Sequence, residues 1–342
     1  MTMAQQTPPL PLGTLTTRAG WAAFVDQPPS SLDLLGDDER KHLTDAERDT
    51  YDQARHLHHS RLAVVATPTV NKVTKLGRRL MLLNRGQLSA RRGLIVNGAG
   101  ETGKTTAISQ LGKHHEHLAR RRRVAPGPFL PVVYVSVPPA STAKMLAAEI
   151  ARFLDLPLPK SFNQVAITNA VCEVLHTMST ELVLVDEIHN LSLSTRPGAE
   201  TSDQLKYLSE RIPATFVYAG IDVEGAGLFS GLRGQQIASR FTVVATQSFA
   251  YGTSRQRAEW AALVATLEQV LRLHRHEPGT LLRHAEYLYR RTGGMIGSLS
   301  ALIRDAAIEA IIDGSERITL DLLEAVELDR TAENQRSTTS KR

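Results

Sequence analysis

The chain has a single cysteine among its 342 residues, only two tryptophans, and no apolar run that could span a bilayer. With Cys172 alone, no disulfide can form within the chain, and its place in an apolar periodic stretch marks it as a small core residue rather than a nucleophile. The first twelve residues lack the basic, apolar and small-residue succession of a secretory leader, so the expected location is the cytoplasm. Acidic residues are scarce in one place. Residues 61–130 hold 14 Lys and Arg against 2 Asp and Glu, whereas residues 1–60 hold 5 against 9 and the remainder 21 against 24. A basic belt of that kind, in a chain whose net charge is only +5, points to a polyanionic partner.

What is present is an ordinary globular composition, 42% hydrophobic and 22% charged, in a chain long enough for one large domain and a smaller one. Residues 1–30 are rich in Pro and Thr without periodicity and read as a flexible leader. Residues 31–90 read as a helical extension: one helix over 34–60 anchored by Tyr51, and a basic one over 68–90 with Val73, Leu76, Leu80 and Leu83 at helical spacing. Strands are expected over 93–97, 132–137, 182–185, 214–219 and 241–245. Helices are expected over 104–120 after the first strand, from Ser141 as N-cap after the second, and over 163–178 before the third. Strands alternating with helices give an α/β fold with a parallel sheet flanked by helices, here residues 91–252. From 253 to 330 only helices are expected, over 255–275, 279–291, 295–313 and 319–328, as a helical lid; 331–342 read as a disordered tail.

Gly98, Ala99, Gly100, Glu101, Thr102, Gly103, Lys104 and Thr105 follow the first strand and open a helix. That is the phosphate-binding P-loop pattern of a nucleoside triphosphatase, with Thr106 next on the helix. Glycines let backbone N–H groups turn inward around phosphate oxygens, and the helix N-terminus adds its positive dipole end. Lys104 can reach the β- and γ-phosphates of ATP, and the Thr105 hydroxyl can ligand Mg²⁺. Asp186 ends the apolar strand Leu-Val-Leu-Val at the sheet edge where open α/β sheets bind ligands, and it is the second expected metal residue. Glu187 is placed to polarise a water for attack on the γ-phosphate, which favours hydrolysis over transfer to a substrate hydroxyl. His189 either reports nucleotide state or is a surface residue. His114, His115 and His117 lack the spacing of a zinc site and read as a solvated helix face.

With these motifs and the helical lid, the chain resembles the AAA+ ATPases, and within them the TniB/TnsC regulators of DNA transposition. The similar stretches are Arg55–His59, Gly93–Thr106, Leu182–Asn190, Phe216–Asp222, Arg240-Phe241 and Gly293–Gly297. The resemblance implies a homo-oligomer, as a ring or filament, in which Arg240 reaches the ATP of a neighbouring subunit as an arginine finger, with Arg233 as runner-up. It also implies a polar sensor after the fourth strand, where only Asp222 is available, and a lid arginine, where Gly297-Ser298 stand and Arg304 is the nearest replacement. Slow or partner-stimulated hydrolysis is expected from those departures.

The resulting expectation is a DNA-binding ATPase that selects target DNA and activates a transposase. Its duplex contacts are expected at Lys72, Lys75, Arg78 and Arg79 on the helix before the P-loop, and at Arg120, Arg121, Arg122 and Arg123 at the end of the helix after it. A signalling or defence ATPase that uses nucleotide only as an assembly switch is the alternative, disfavoured by the basic belt. A small-molecule kinase is disfavoured by Glu187 and the lid.

Overall fold

Five short runs rich in aliphatic, aromatic and β-branched residues form the strands of one sheet, because such side chains suit a pleated surface. The first four are buried almost throughout and the fifth only at Val244 and Thr246. They are β1 (Gly93–Gly98), β2 (Val132–Ser136), β3 (Leu182–Asp186), β4 (Thr215–Gly220) and β5 (Phe241–Thr246). All pair in parallel, in the order β2-β3-β4-β1-β5. Every residue of β3 and β4 is buried. This computed structural model describes residues 13–28, 32–61, 64–124, 126–159, 163–191, 205–223 and 238–328. The α/β expectation holds, with β4 between β1 and β3.

The helices, in chain order, are α1 (Arg18–Asp26), α2 (Asp37–Lys41), α3 (Asp45–Ser60), α4 (Pro68–Asn84), α5 (Lys104–Arg122), α6 (Ala143–Phe153) and α7 (Gln164–Thr177). After the sheet come α8 (Ser254–Gln269), α9 (Thr280–Arg283), α10 (Ala285–Thr292), α11 (Ile296–Ile312) and α12 (Leu320–Ala325). The described residues within Pro9–Gln27 and Pro68–Thr246 form one compact unit, which contains the sheet. Those within Pro28–Thr67 and Gln247–Arg342 form a second, all-helical one.

In the sheet unit the flexible-leader reading is overturned for residues 18–26. Thr17 caps α1 by accepting the Gly20 N–H at 3.1 Å, and Trp21 and Val25, one turn apart, are buried at 1% exposure each. Trp21 stacks on Tyr134 with centroids 5.8 Å apart, and its indole N–H donates to Glu116 at 3.3 Å. Burial of such side chains is worth about 1.5–3 kcal/mol each, enough to hold a nine-residue helix that its own propensity could not. Residues 1–12 and 329–342 lie outside the described residues.

Helix α4 stops at Asn84, short of the expected 90, because its side chain turns back to bond Arg92 and Thr215. Val73 and Leu80 face the core as expected, but Leu83 is 51% exposed, and Gly77, Met81 and Asn84 complete the buried face instead. Thr142, not Ser141, caps α6; the Ser141 N–H donates to Asn190 O at 3.0 Å.

In the helical unit the stretch 34–60 divides in two, because Thr44 and Glu47 close a capping box that starts α3 afresh. Arg55 on α3 is fully buried and meets Glu316, 1% exposed, through Nη1–Oε2 at 2.6 Å and Nη2–Oε1 at 2.9 Å. Arg40 adds a bond to Glu316 Oε1 at 2.8 Å, and the His274 N–H donates to Oε2 at 3.2 Å. Burial alone would raise the Glu316 carboxyl, but the Arg55 bonds, the His274 amide and the Arg55 and Arg40 charges together hold it below the usual carboxylate range. Trp260, Leu263, Leu288, Leu299 and Leu302 are among the side chains that form the core of this unit.

Candidate nucleotide and metal site

The turn after β1 is shaped by steric limits visible in its neighbours. A Cβ on Gly98 would stand 2.2 Å from Thr246 Oγ1 and 2.3 Å from Thr246 O, so only glycine lets β1 leave the sheet beside the end of β5. Thr102 Oγ1 donates to Ala99 O at 2.9 Å and meets Thr246 Oγ1 at 2.7 Å, which closes the loop on itself and on β5. Glu101 and Gly103 take φ of 58° and 85°, and α5 begins at Lys104 with its free N–H groups toward the loop.

Lys104 is 6% exposed, and its ammonium donates to Gly98 O at 2.9 Å and Ala99 O at 2.6 Å. Among the described residues its third hydrogen has no acceptor. Burial pushes the ammonium pKa down, against the opposing pull of Glu187 and Asp186. A buried cation with a free donor, at a helix N-terminus and inside a glycine turn, suits a phosphate.

The β-strand register brings the second half of the site alongside. Asp186, 2% exposed, accepts the Thr105 hydroxyl at 2.7 Å and the Tyr134 hydroxyl at 2.8 Å on Oδ2, and the Glu187 N–H at 2.9 Å on Oδ1. Thr105 and Asp186 are thus adjacent hard oxygen donors, the chemistry that Mg²⁺ selects. Sequence reasoning did not find Tyr134. Its burial, followed by the charge of Asp186 beside it, pushes the phenol up, so it stays a hydrogen-bond donor that orients the carboxylate. The signal was a lone hydroxyl in the apolar run Val-Val-Tyr-Val.

Glu187 takes left-handed φ 55° and ψ 35°, a conformation that costs a non-glycine residue about 1–2 kcal/mol. The twist turns its side chain, 38% exposed, out of the sheet edge while Ile188 behind it is fully buried. Asp222 follows β4 at φ 43° and is exposed.

Arg240 stands at the opposite end of the sheet. Its carbonyl accepts the Gly93 N–H that opens β1, and its guanidinium pairs with Glu210 at 3.1 Å. The six residues of β5 span about 20 Å, so Arg240 lies far from the P-loop of its own chain. Arg233 falls outside the described residues. Arg304, the expected replacement for a lid arginine, bonds the carbonyls of His59 and Ser60 and closes the C-terminus of α3.

The two candidate DNA-contact clusters differ. Lys72, Lys75, Arg78 and Arg79 are exposed along one side of α4, and among the described residues none of the four makes an ion pair. In the other cluster Arg120 bonds Asp26 and Glu116, Arg122 reaches Glu181 at 3.2 Å, and Arg123 bonds Gly127 O and covers the Phe129 ring. Among the described residues Arg121 alone of those four has no such engagement. Among the described residues no helix is long and apolar enough to cross a membrane.

No curated protein sequence matches this chain. Solved structures are similar in fold. The Aeropyrum pernix ORC2 protein in its ADP form gives a TM-score of 0.60 at 19% identity, covering 79% of this chain and 71% of that one. The Aeropyrum pernix ORC1 protein in complex with DNA gives 0.59 at 14%, covering 83% and 69%. The ADPNP-ADP complexes of the same ORC2 protein give 0.58 at 19%, covering 74% of this chain and 65% of that one, just under two thirds of its length. A family model described as bacterial TniB protein matches residues 61–251, more than half of the chain and the stretch that carries α4, the P-loop, Asp186-Glu187 and Arg240. Because that model spans more than half of the sequence, the chain belongs to the TniB family.

Proposed function

We propose that this chain is an oligomeric, DNA-binding ATPase that regulates DNA transposition by selecting target DNA and activating a transposase. The observation that carries the ATPase part is the joining of Thr105 to Asp186 at 2.7 Å beside the buried Lys104 ammonium. Gly98–Thr106 bind the nucleotide, and Thr105 and Asp186 hold Mg²⁺. Held there, Mg²⁺ would supply positive charge against the transferring phosphoryl group. Glu187 takes the proton of the attacking water. Family membership supports the transposition role, and the fold likeness to an ORC1 protein in complex with DNA supports a DNA-bound assembly.

Arg240 supplies positive charge to the ATP of the next subunit, since its own site lies across the sheet. Arg240→Ala is expected to bind ATP normally and hydrolyse it poorly. Mixing it with Lys104→Ala subunits, which lack the phosphate-binding ammonium, should restore activity at interfaces that pair an intact P-loop with an intact Arg240. Confirmed mixed assemblies with no recovered turnover at any ratio would show that Arg240 does not act across subunits.

The duplex lies along α4. Lys72, Lys75, Arg78 and Arg79 contact phosphates without reading bases, and ATP strengthens binding because assembly multiplies the contacts. Each phosphate neutralised contributes about −0.9 to the slope of log affinity against log salt. Replacing all four with Ala should weaken duplex binding and flatten that slope while leaving nucleotide affinity intact. A quadruple variant with the affinity and slope of the unaltered chain would remove α4 as the DNA contact.

A further inference from the structure

His189 stands between Glu187 and the loop that leaves β4. Its Nδ1 accepts the Ile221 N–H at 3.2 Å, and its Nε2 lies 3.4 Å from Glu187 Oε2. An imidazole that accepts at Nδ1 carries its hydrogen on Nε2 when neutral, so the face turned to Glu187 is a donor. The turn that bears it is pinned from several sides. Ile188 is fully buried, the Asn190 side chain donates to Val137 O at 2.9 Å, and the Asn190 N–H donates to Glu187 O at 2.9 Å.

The loop beyond β4 is held at two points: Ile221 by His189, and Val223 by Asn97 of β1, whose Oδ1 accepts its N–H at 3.1 Å. A Cβ on Gly220 would stand 2.8 Å from Ile188 Cγ2 and 3.2 Å from His189 N, so β4 must end in glycine for the two segments to approach. The chain Asn97, Val223, Ile221, His189 and Glu187 thus runs from the strand that carries the P-loop to the carboxylate, through the one strand that separates β1 from β3.

From this arrangement we propose that His189 is a positioning residue: it aims the Glu187 carboxylate and ties that aim to the backbone of Ile221–Val223, so that the loop after β4 sets when Glu187 can take a proton. The proposal rests on the reading of Glu187 as the hydrolytic base. A base oriented by a third group is a recurrent requirement of proton transfer. The two nitrogens have separate duties, which makes them separable by substitution. Asn places an acceptor near the Nδ1 position and no donor near Nε2, whereas Gln places a donor near Nε2.

The test compares His189→Leu, His189→Asn and His189→Gln by ATP turnover, and by hydrogen exchange of the Ile221 amide without nucleotide. His189→Leu should lower kcat, by up to about a hundredfold for a displaced catalytic group, with KM for ATP unchanged, and should speed Ile221 exchange about fivefold. His189→Asn should restore amide protection without turnover, and His189→Gln should recover turnover in part. In a Glu187→Gln background His189→Leu should cause no further loss. Unaltered kcat in His189→Leu, unaltered Ile221 exchange, or a loss that adds in full to that of Glu187→Gln would each overturn the proposal. Unaltered turnover in Glu187→Gln alone is a different failure: it removes the base beneath the proposal while leaving the exchange result as a structural fact.

Discussion

Glu187→Gln subunits should bind ATP as tightly as the unaltered chain and hydrolyse it about 10²–10⁴ times more slowly, the usual loss when a general base is removed. The amide matches the carboxylate in size, so the left-handed turn at φ 55° and the buried Ile188 beneath it are undisturbed. Thr105, Asp186 and Lys104 keep their bonds, since none of these passes through the Glu187 side chain. What is lost is proton affinity at a single place. Bound ATP then persists, and any assembly that depends on it should outlast that of the unaltered chain. Nucleotide affinity from a fluorescent analogue and single-turnover hydrolysis make the comparison. Turnover at the unaltered rate would assign the water to another residue.

Removing Glu316 should cost the helical unit about 3–5 kcal/mol, the range for breaking a buried ion pair from one side. Glu316→Ala leaves the fully buried Arg55 guanidinium with the half-buried Asp52 carboxylate at 2.5 Å in place of two carboxylates, and deprives Arg40 and the His274 N–H of their acceptor. The double variant Arg55→Leu/Glu316→Leu should recover much of that loss, because a paired apolar replacement leaves no buried charge uncompensated. Trp260 is buried in this unit and Trp21 in the other, so urea unfolding followed by Trp260 fluorescence in a Trp21→Phe background reads the right one. The same carboxylate gives a pH dependence. Its folded pKa lies below the ordinary 4.5, so its contribution is complete above 4.5 and fades as pH falls through the lower folded value. A Glu316→Ala midpoint equal to that of the unaltered chain would sink the assignment of this pair as the anchor of α3.

The P-loop and Asp186-Glu187 were legible in the sequence because each is a contiguous run whose glycines, lysine and acids have fixed spacing after an apolar strand. Strands β1 to β4 were legible for a related reason: they are buried almost throughout, and their apolar runs declare that without tertiary knowledge, whereas the edge strand β5 is buried only at Val244 and Thr246. Helix α1 was missed through its surroundings. Proline and threonine on either side suggest a loose segment, although Thr17 as cap with Trp21 and Val25 one turn apart already formed a short amphipathic pattern. Arg55 was beyond reading, since a charge on a polar helix looks solvated until Glu316 is brought to it. The duty of His189 was undecidable for the same reason, its partner being a backbone N–H at Ile221, which has no sequence signature at all. Arg120 and Arg122 show the converse: a run of four arginines looks like one surface, yet two of them answer carboxylates on α1, α5 and the start of β3.

The span between Arg55 and Glu316 has a consequence for synthesis. The two are 261 positions apart, so a ribosome working at roughly 5–20 residues per second leaves α3 without its partner for roughly 10–50 s. Pro68–Thr246, with its own hydrophobic core, is complete well before that wait ends. The helical unit is therefore the last to close during translation, and Tyr51, Arg55 and His59 stay available to chaperones until the final helices leave the exit tunnel. A nascent chain arrested before residue 316 should carry a folded nucleotide site and an unsealed α3.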